Sequence, residues 1–260
     1  MVVDIQNQQD FRNIEINKVG VKNIKYPIIV LDKKNKLQHT IAKINMFVNL
    51  PHHFKGTHMS RFIEILNEHR NGISLKSITG ILLKMKKKLH AHSAHLEIEF
   101  PYFIEKVAPV SKAKSLIEYT CIYECSHCNE PDLCVGIEVP VTTLCPCSKE
   151  ISSRGAHNQR SKVFVKLRFK KFFWIEDIIY LIENSASAEV YSLLKRQDEK
   201  YVTECAYDNP MFVEDVVRSI AEKLHKDSNI IWFCIESENL ESIHNHNAYA
   251  MIETSPDYQC

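Results

Sequence analysis

Cys145-Pro146-Cys147 is followed, across Ser148-Lys149-Glu150 and a turn, by Gly155-Ala156-His157-Asn158-Gln159-Arg160-Ser161. Cys145 and His157 stand twelve residues apart across this loop, so a thiolate and an imidazole can converge there. Both are good ligands for zinc and neighbouring transition metals. A Cys-x-Cys pair alone is a weak signal. A second polar cluster, Ser242-Ile243-His244-Asn245-His246-Asn247, precedes an apolar run. On a strand, His244 and His246 would share one face, because side chains alternate with period two. Imidazoles exchange protons near neutral pH, which suits acid/base work. Between the two clusters lie Glu189 and Glu204, fifteen residues apart. Taken singly, each is an ordinary surface carboxylate. The basic residues Lys55, Arg61, Lys149, Arg160, Lys195 and Arg196 are equally ordinary one by one, although Lys55 and Arg61 flank a helix start, where backbone N–H groups favour anions.

The rest of the composition narrows what such residues can serve. The chain has 260 residues, with 33 Lys+Arg against 32 Asp+Glu, a formal net charge of +1. That balance gives no global pull towards nucleic acid or membrane, and neither is an expected partner. A polyanionic ligand would need a local cluster of cations. Apolar residues at 45% and charged residues at 25% are those of a globular protein, not of a collagen, coiled coil or disordered chain. The longest purely apolar run, Ile230 to Ile235, falls far short of the ~20 residues that span a bilayer. Met1 to Asp10 show neither a basic nor an apolar stretch, so no secretion signal is read and a cytoplasmic location is expected. The nine cysteines are then expected as thiols, metal ligands or catalytic groups rather than disulfides. Six cluster between Cys121 and Cys147, while Cys205, Cys234 and Cys260 are scattered.

Elements that could position these groups follow from periodicity. Ala42, Ile44, Met46 and Val48 alternate as a half-buried strand, with Tyr26–Leu31 as its partner and Asp32–Asn35 as the turn. Met59, Phe62, Ile63 and Leu66 form a helical stripe, stopped by Asn71-Gly72. Leu75, Ile78, Leu82, Met85 and Leu89 form another, with Ser74 as N-cap. Strands follow through Leu96, Ile98 and Phe100, then through Ile117, Tyr119, Cys121 and Tyr123. After the polar bridge Ser126–Asp132 the order begins again. Strands run through Val135–Val141 and Val163–Phe169. Helices carry Ile175, Ile178, Ile179 and Ile182, then Phe212 to Leu224, with Asn209 and Pro210 as cap and first turn. Strands at Ile231–Ile235 and Ala248–Ile252 close the set. This predicts an α+β protein of two tandem ββααββ modules, each an antiparallel four-stranded sheet with helices on one face. The expected division is a flexible arm over 1–24, a first module over 25–127, and a second over 128–260 that carries most of the site residues.

Five stretches together resemble the prokaryotic type IB GTP cyclohydrolases: Phe54–Phe62, Val139–Lys149, Gly155–Ser161, Leu193–Arg196 and Ser242–Tyr249. They stand in the same order, and the resemblance covers roughly residues 25 to 254. It implies the tunnelling fold and a homotetramer with sites at subunit interfaces. The implied reaction converts GTP and water to 7,8-dihydroneopterin triphosphate and formate, the first step of tetrahydrofolate biosynthesis. By position it implies that Cys145, His157 and Glu189 hold one divalent transition metal, zinc, manganese or iron. It implies that Glu204 anchors guanine, whose two parallel N–H donors match a carboxylate. His244 and His246 fall in the stretch that supplies acid/base or ligand function, with Cys145 also catalytic. Lys55, Arg61, Lys149, Arg160, Lys195 and Arg196 are candidates for the triphosphate.

Two rivals compete with this reading. Cys125-x-x-Cys128, with Cys145 and Cys147, approaches a zinc-ribbon spacing, which would make the chain a structural-zinc binding module. An archaeal-type cyclohydrolase that stops at a cyclic phosphate, or a tunnelling-fold nitrile reductase with a nucleophilic cysteine, would share the architecture.

Overall fold

The computed structural model describes residues 6, 8–69, 73 and 75–254. They form two compact units, one from residues up to 101 with 122–134, the other from 102–121 with 135 onwards.

The first unit starts from a hairpin, β1 (Ile16–Asp32) and β2 (Lys36–Leu50). Asp32 shapes its turn by accepting from Lys34 N at 2.9 Å and Asn35 N at 2.5 Å. Ala42, Ile44, Met46 and Val48 of β2 are buried, as their alternation predicts. Gly20 lies against the β2 backbone, where a Cβ would clash with Met46 O. Helices α1 (Met59–Glu68) and α2 (Leu75–Leu89) follow. α1 buries Phe62, Ile65 and Leu66, while Met59 and Ile63 of the expected stripe are exposed. α2 buries Ile78, Ile81, Leu82 and Met85. The expected stop at Asn71-Gly72 and the cap at Ser74 lie outside the described residues. The unit's sheet runs β1-β2-β3-β4-β5, where β3 is Ala94–Val107, β4 Lys114–His127 and β5 Pro131–Leu144.

The second unit contains the other ends of β3, β4 and β5. It adds α3 (Pro146–Ile151), β6 (Asn158–Phe169), α4 (Ile175–Glu183), β7 (Ala188–Glu189), α5 (Arg196–Asp208), α6 (Val213–His225), β8 (Ile230–Asn239) and β9 (Ala248–Glu253). Its sheet order is β3-β4-β5-β6-β8-β9, with β7 antiparallel to β5. Val135, Ile137, Val139 and Val141 of β5, Val163, Val165 and Leu167 of β6, and Phe233 and Ile235 of β8 are buried. They meet an apolar layer from Ile178, Ile179 and Ile182 of α4 and Val216, Val217, Ile220 and Leu224 of α6. Burial at about 25 cal/mol per Å² of apolar area drives this layering.

The architecture is α+β, antiparallel sheet with helices on one face, as expected. Four details differ. β1 begins at Ile16, and Asp10 N donates to His53 O at 3.1 Å, so among the described residues of the expected arm Asp10 and the stretch from Ile16 carry main-chain pairing. Register shifts between Ile16 and Val19 and between Val21 and Ile24 break the alternation that would have revealed the strand. The bridge Ser126–Asp132 is a hairpin tip within the first unit, and β3, β4 and β5 serve both units. The sheets therefore do not divide into four strands each at residue 127. α6 is capped at Phe212, whose N–H donates to Asp215 at 2.9 Å. Asn209 instead ends α5, and Asn209 Nδ2 donates to Ala186 O at 2.9 Å.

Candidate functional site

Cys145 directly follows β5 and caps α3, its Sγ accepting from Ser148 N at 3.4 Å. Pro146 suits the first helical position, where no N–H is needed. The chain then returns through Gly155, whose φ of +97° favours glycine. Cys145 N donates to His157 O at 3.1 Å. Ser148 Oγ tightens the loop, donating to Cys145 O at 3.2 Å and accepting from His157 N at 3.1 Å. Cys145 and His157 are thus brought side by side, both half-buried. Cys147 is exposed.

A buried polar chain orients His157. Nδ1 lies 3.1 Å from Gln159 Oε1, and Gln159 Nε2 donates to Thr143 Oγ1 at 3.0 Å. Thr143 Oγ1 lies 2.9 Å from Ser161 Oγ, which donates to Asn239 Oδ1 at 2.6 Å. With the amide nitrogen spent on Thr143, Gln159 presents an oxygen to the ring. An Nδ1–H tautomer would donate to that oxygen and leave the Nε2 lone pair for a metal. Glu241 Oε2 also approaches Nδ1, at 3.9 Å.

His244 and His246 lie in the loop between β8 and β9 rather than on a strand, because β9 begins only at Ala248. Their rings still come together, stacked at 5.1 Å and 23°. The His244 ring stands edge-on to that of His157 at 6.4 Å. Both loop histidines are exposed.

Glu189 is on β7, opposite Val141 of β5. Its Oε2 is 2.6 Å from Lys106 Nζ, which also lies 2.8 Å from Glu183 Oε1. Tyr119 OH donates to that same oxygen at 2.7 Å. Burial pushes the Glu183 carboxyl up, against the pull of Lys106 and Tyr119. Burial, and then the neighbouring carboxylates, also push up the phenols of Tyr119 and Tyr191, so both remain donors.

α5 displays Glu204 on an exposed face, where Lys200 Nζ is 3.8 Å away. Lys195 and Arg196, at its start, are exposed. Asp198 anchors that start, accepting from Val110 N and Ser111 N at 2.8 Å, Ser111 Oγ at 2.6 Å and Lys195 N at 2.8 Å. Lys149 Nζ donates to Tyr207 O and lies 4.3 Å from the Tyr207 ring centroid. Arg160 is exposed on β6, opposite Thr142. In the first unit, Lys55 is exposed and Arg61 donates to Lys88 O, the C-terminal end of α2, at 2.9 Å.

The donor types fit a borderline transition metal: a thiolate and an imidazole, with a carboxylate on the neighbouring strand. Among the described residues, no group of three or more His, Cys, Asp or Glu closes into a metal-binding cluster. Cys145 and His157 are paired, while Glu189 faces Lys106. Cys125 and Cys134 are buried thiols and Cys128 is exposed, which leaves the ribbon spacing without a closed cluster. Burial pushes the Cys125 thiol up, away from the thiolate that a metal needs.

Sequence reasoning passed over Lys106, Glu183, Gln159 and Glu241. For Lys106 a signal existed. It shares the strand parity of Leu96, Ile98, Phe100 and Tyr102, all buried, so a lysine stands where the pattern calls for an apolar side chain. Thr143, Ser161 and Asn239 carry the same mark on β5, β6 and β8.

A family model described as type I GTP cyclohydrolase folE2 matches residues 2–250. A GTP cyclohydrolase FolE2 of Syntrophus aciditrophicus is 65% identical over 253 residues, covering 97% of this chain and 99% of that one. One from Geotalea uraniireducens is 61% identical over 250 residues, 96% and 92% of the two chains. Among solved structures, urate oxidase from Bacillus sp. TB-90 matches with a TM-score of 0.56 at 10% identity, covering 92% of this chain and 100% of that one. Urate oxidase from Bacillus subtilis matches at 0.53 and 8% identity, covering 92% and 98%. The last two show the tunnelling fold alone.

Proposed function

Because the chain belongs to the type I GTP cyclohydrolase FolE2 family, we propose that it hydrolyses GTP to 7,8-dihydroneopterin triphosphate and formate. The observation that carries the site assignment is the side-by-side placement of Cys145 and His157, joined through Cys145 N and His157 O at 3.1 Å. In this reading Cys145, His157 and Glu189 would hold one divalent metal, and a mixed sulfur, nitrogen and oxygen set suits zinc, manganese or iron. When bound, such a metal supplies Lewis acidity towards water.

The chain's own residues carry the remaining work. Glu204 accepts from the guanine N1–H and exocyclic amine through its two oxygens. Water adds at C8 of the purine, and His244 or His246 protonates the departing ring nitrogen. A second water releases C8 as formate. The rearranged ribose closes onto the freed amine with loss of one water, so one water is consumed overall. Lys55, Arg61, Lys149, Arg160, Lys195 and Arg196 are the cations proposed for the triphosphate. Glu204 and Arg196 on α5 and Lys195 at its N-cap are exposed, which suits a homotetramer whose sites are completed by a neighbouring copy. The reaction belongs to tetrahydrofolate synthesis in the cytoplasm, and no helix among the described residues is long and apolar enough to cross a membrane.

The test is incubation of the purified protein with GTP and a divalent metal. Formate should appear, and neopterin fluorescence should follow dephosphorylation and oxidation. A cyclic phosphate product, or no pterin, would overturn this function.

A further inference from the structure

Lys106 is a buried lysine with every direction of its ammonium taken. Its side chain is 9% exposed, and Nζ meets Glu183 Oε1 at 2.8 Å and Glu189 Oε2 at 2.6 Å. Nζ also donates to Val190 O at 3.1 Å and lies 4.4 Å from the Tyr191 ring centroid. Tyr119 OH donates to that same Glu183 oxygen at 2.7 Å. One ammonium therefore serves two carboxylates. Glu183 is 6% exposed and Glu189 29%, so Lys106 and Glu183 form the enclosed pair. Glu189 is the more exposed of the two carboxylates and the one a second cation could reach. A lysine held by a carboxylate, a carbonyl and a ring has little rotamer freedom. The carboxylate bound to it inherits that fixed orientation.

We propose that Lys106, anchored by Glu183 and Tyr119, is a positioning residue that fixes the Glu189 carboxylate for divalent-metal binding. This rests on Glu189 being a metal ligand, as proposed above. Groups that orient a ligand from outside the coordination sphere commonly govern affinity by about 10–100-fold.

Calorimetric titration with Zn²⁺ and Mn²⁺ tests it on the purified full chain, with circular dichroism as the fold control. K106M/E183Q removes both enclosed charges together and leaves no uncompensated buried ion from that pair. It should fold and bind metal about 10–100-fold more weakly. K106R keeps the charge but replaces a compact ammonium with a larger planar donor, and about a 10-fold loss is expected. Wild-type or tighter affinity in either folded variant overturns the proposal. E189A separates the two levels. If E189A loses affinity while K106M/E183Q and K106R do not, Glu189 remains a ligand and Lys106 is not its positioner. Wild-type affinity in E189A removes the ligand role itself.

Discussion

Cys145 and His157 are joined main chain to main chain, N–H to carbonyl at 3.1 Å, with Ser148 Oγ bridging both. The backbone, rather than the reactive side chains, sets their separation. Replacing either side chain should therefore leave the loop folded, with Cys145→Ala also losing the Sγ that accepts from Ser148 N. Cys145→Ala and His157→Ala are expected to keep the wild-type circular dichroism spectrum and to bind zinc far more weakly. Formate release should fall below about 1% of wild type, a larger loss than removal of a supporting group gives. Turnover at the wild-type rate in Cys145→Ala would end the metal role of this residue.

Gly155 lets the chain turn back from α3 to His157 with φ at +97°, and a Cβ there would meet nothing within 4 Å. The difficulty for any other residue is backbone strain alone, about 1–3 kcal/mol. Gly155→Ala should lower Tm by several degrees and weaken zinc binding, because relief of the strain displaces His157. An unchanged zinc affinity would show that the turn does not govern the ligand position.

Asp198 is fully enclosed and takes four hydrogen bonds from Val110, Ser111 and Lys195. Burial alone would raise its carboxyl. The bonds from Ser111, Lys195 and Val110 outweigh that and hold it well below the usual carboxylate range. A carboxyl depressed in the folded state stabilises above its unfolded value of about 4, and that contribution is lost as pH falls towards the folded value. Acidification from about pH 5 should therefore lower the Tm of wild type more steeply than that of Asp198→Asn, whose amide does not titrate there. Parallel Tm profiles for the two proteins would show that Asp198 carries no such linkage.

The strands and the apolar helices were legible because their burial repeats with period two or 3.6, as in Val163, Val165 and Leu167 or in Val216, Val217 and Ile220. α5 was not, because among Arg196 to Asp208 only Asp198 and Ala206 are buried. A helix with no apolar stripe gives periodicity nothing to register. The site divided in the same way. Cys145 and His157 share a loop, so spacing alone could suggest their convergence. The ammonium that faces Glu189 comes from Lys106 on β3, 83 positions earlier, and long-range pairing leaves no spacing to read. The loop placement of His244 and His246 was hidden for another reason: His-x-His fits a strand locally, and only the start of β9 at Ala248 excludes it.

The proposed guanine role of Glu204 offers a way to separate nucleotide recognition from metal binding. Glu204 is exposed on α5 and pairs with Lys200, one helical turn away at 3.8 Å. Such a pair contributes little to stability, so Glu204→Gln should fold and melt as wild type. Metal affinity should also be unchanged, since the proposed ligands Cys145, His157 and Glu189 are untouched. What changes is the complement to guanine. A carboxylate presents two acceptors to two N–H donors, whereas the amide sets a donor against one of them. Loss of one charge-assisted bond plus one unpaired donor should lower kcat/KM for GTP by about 100-fold or more. Glu204→Asp keeps both acceptors but withdraws them by one methylene, and should fall between. A Glu204→Gln enzyme with wild-type kcat/KM would remove Glu204 from guanine recognition, while equal losses of metal and GTP binding would place it at the metal instead.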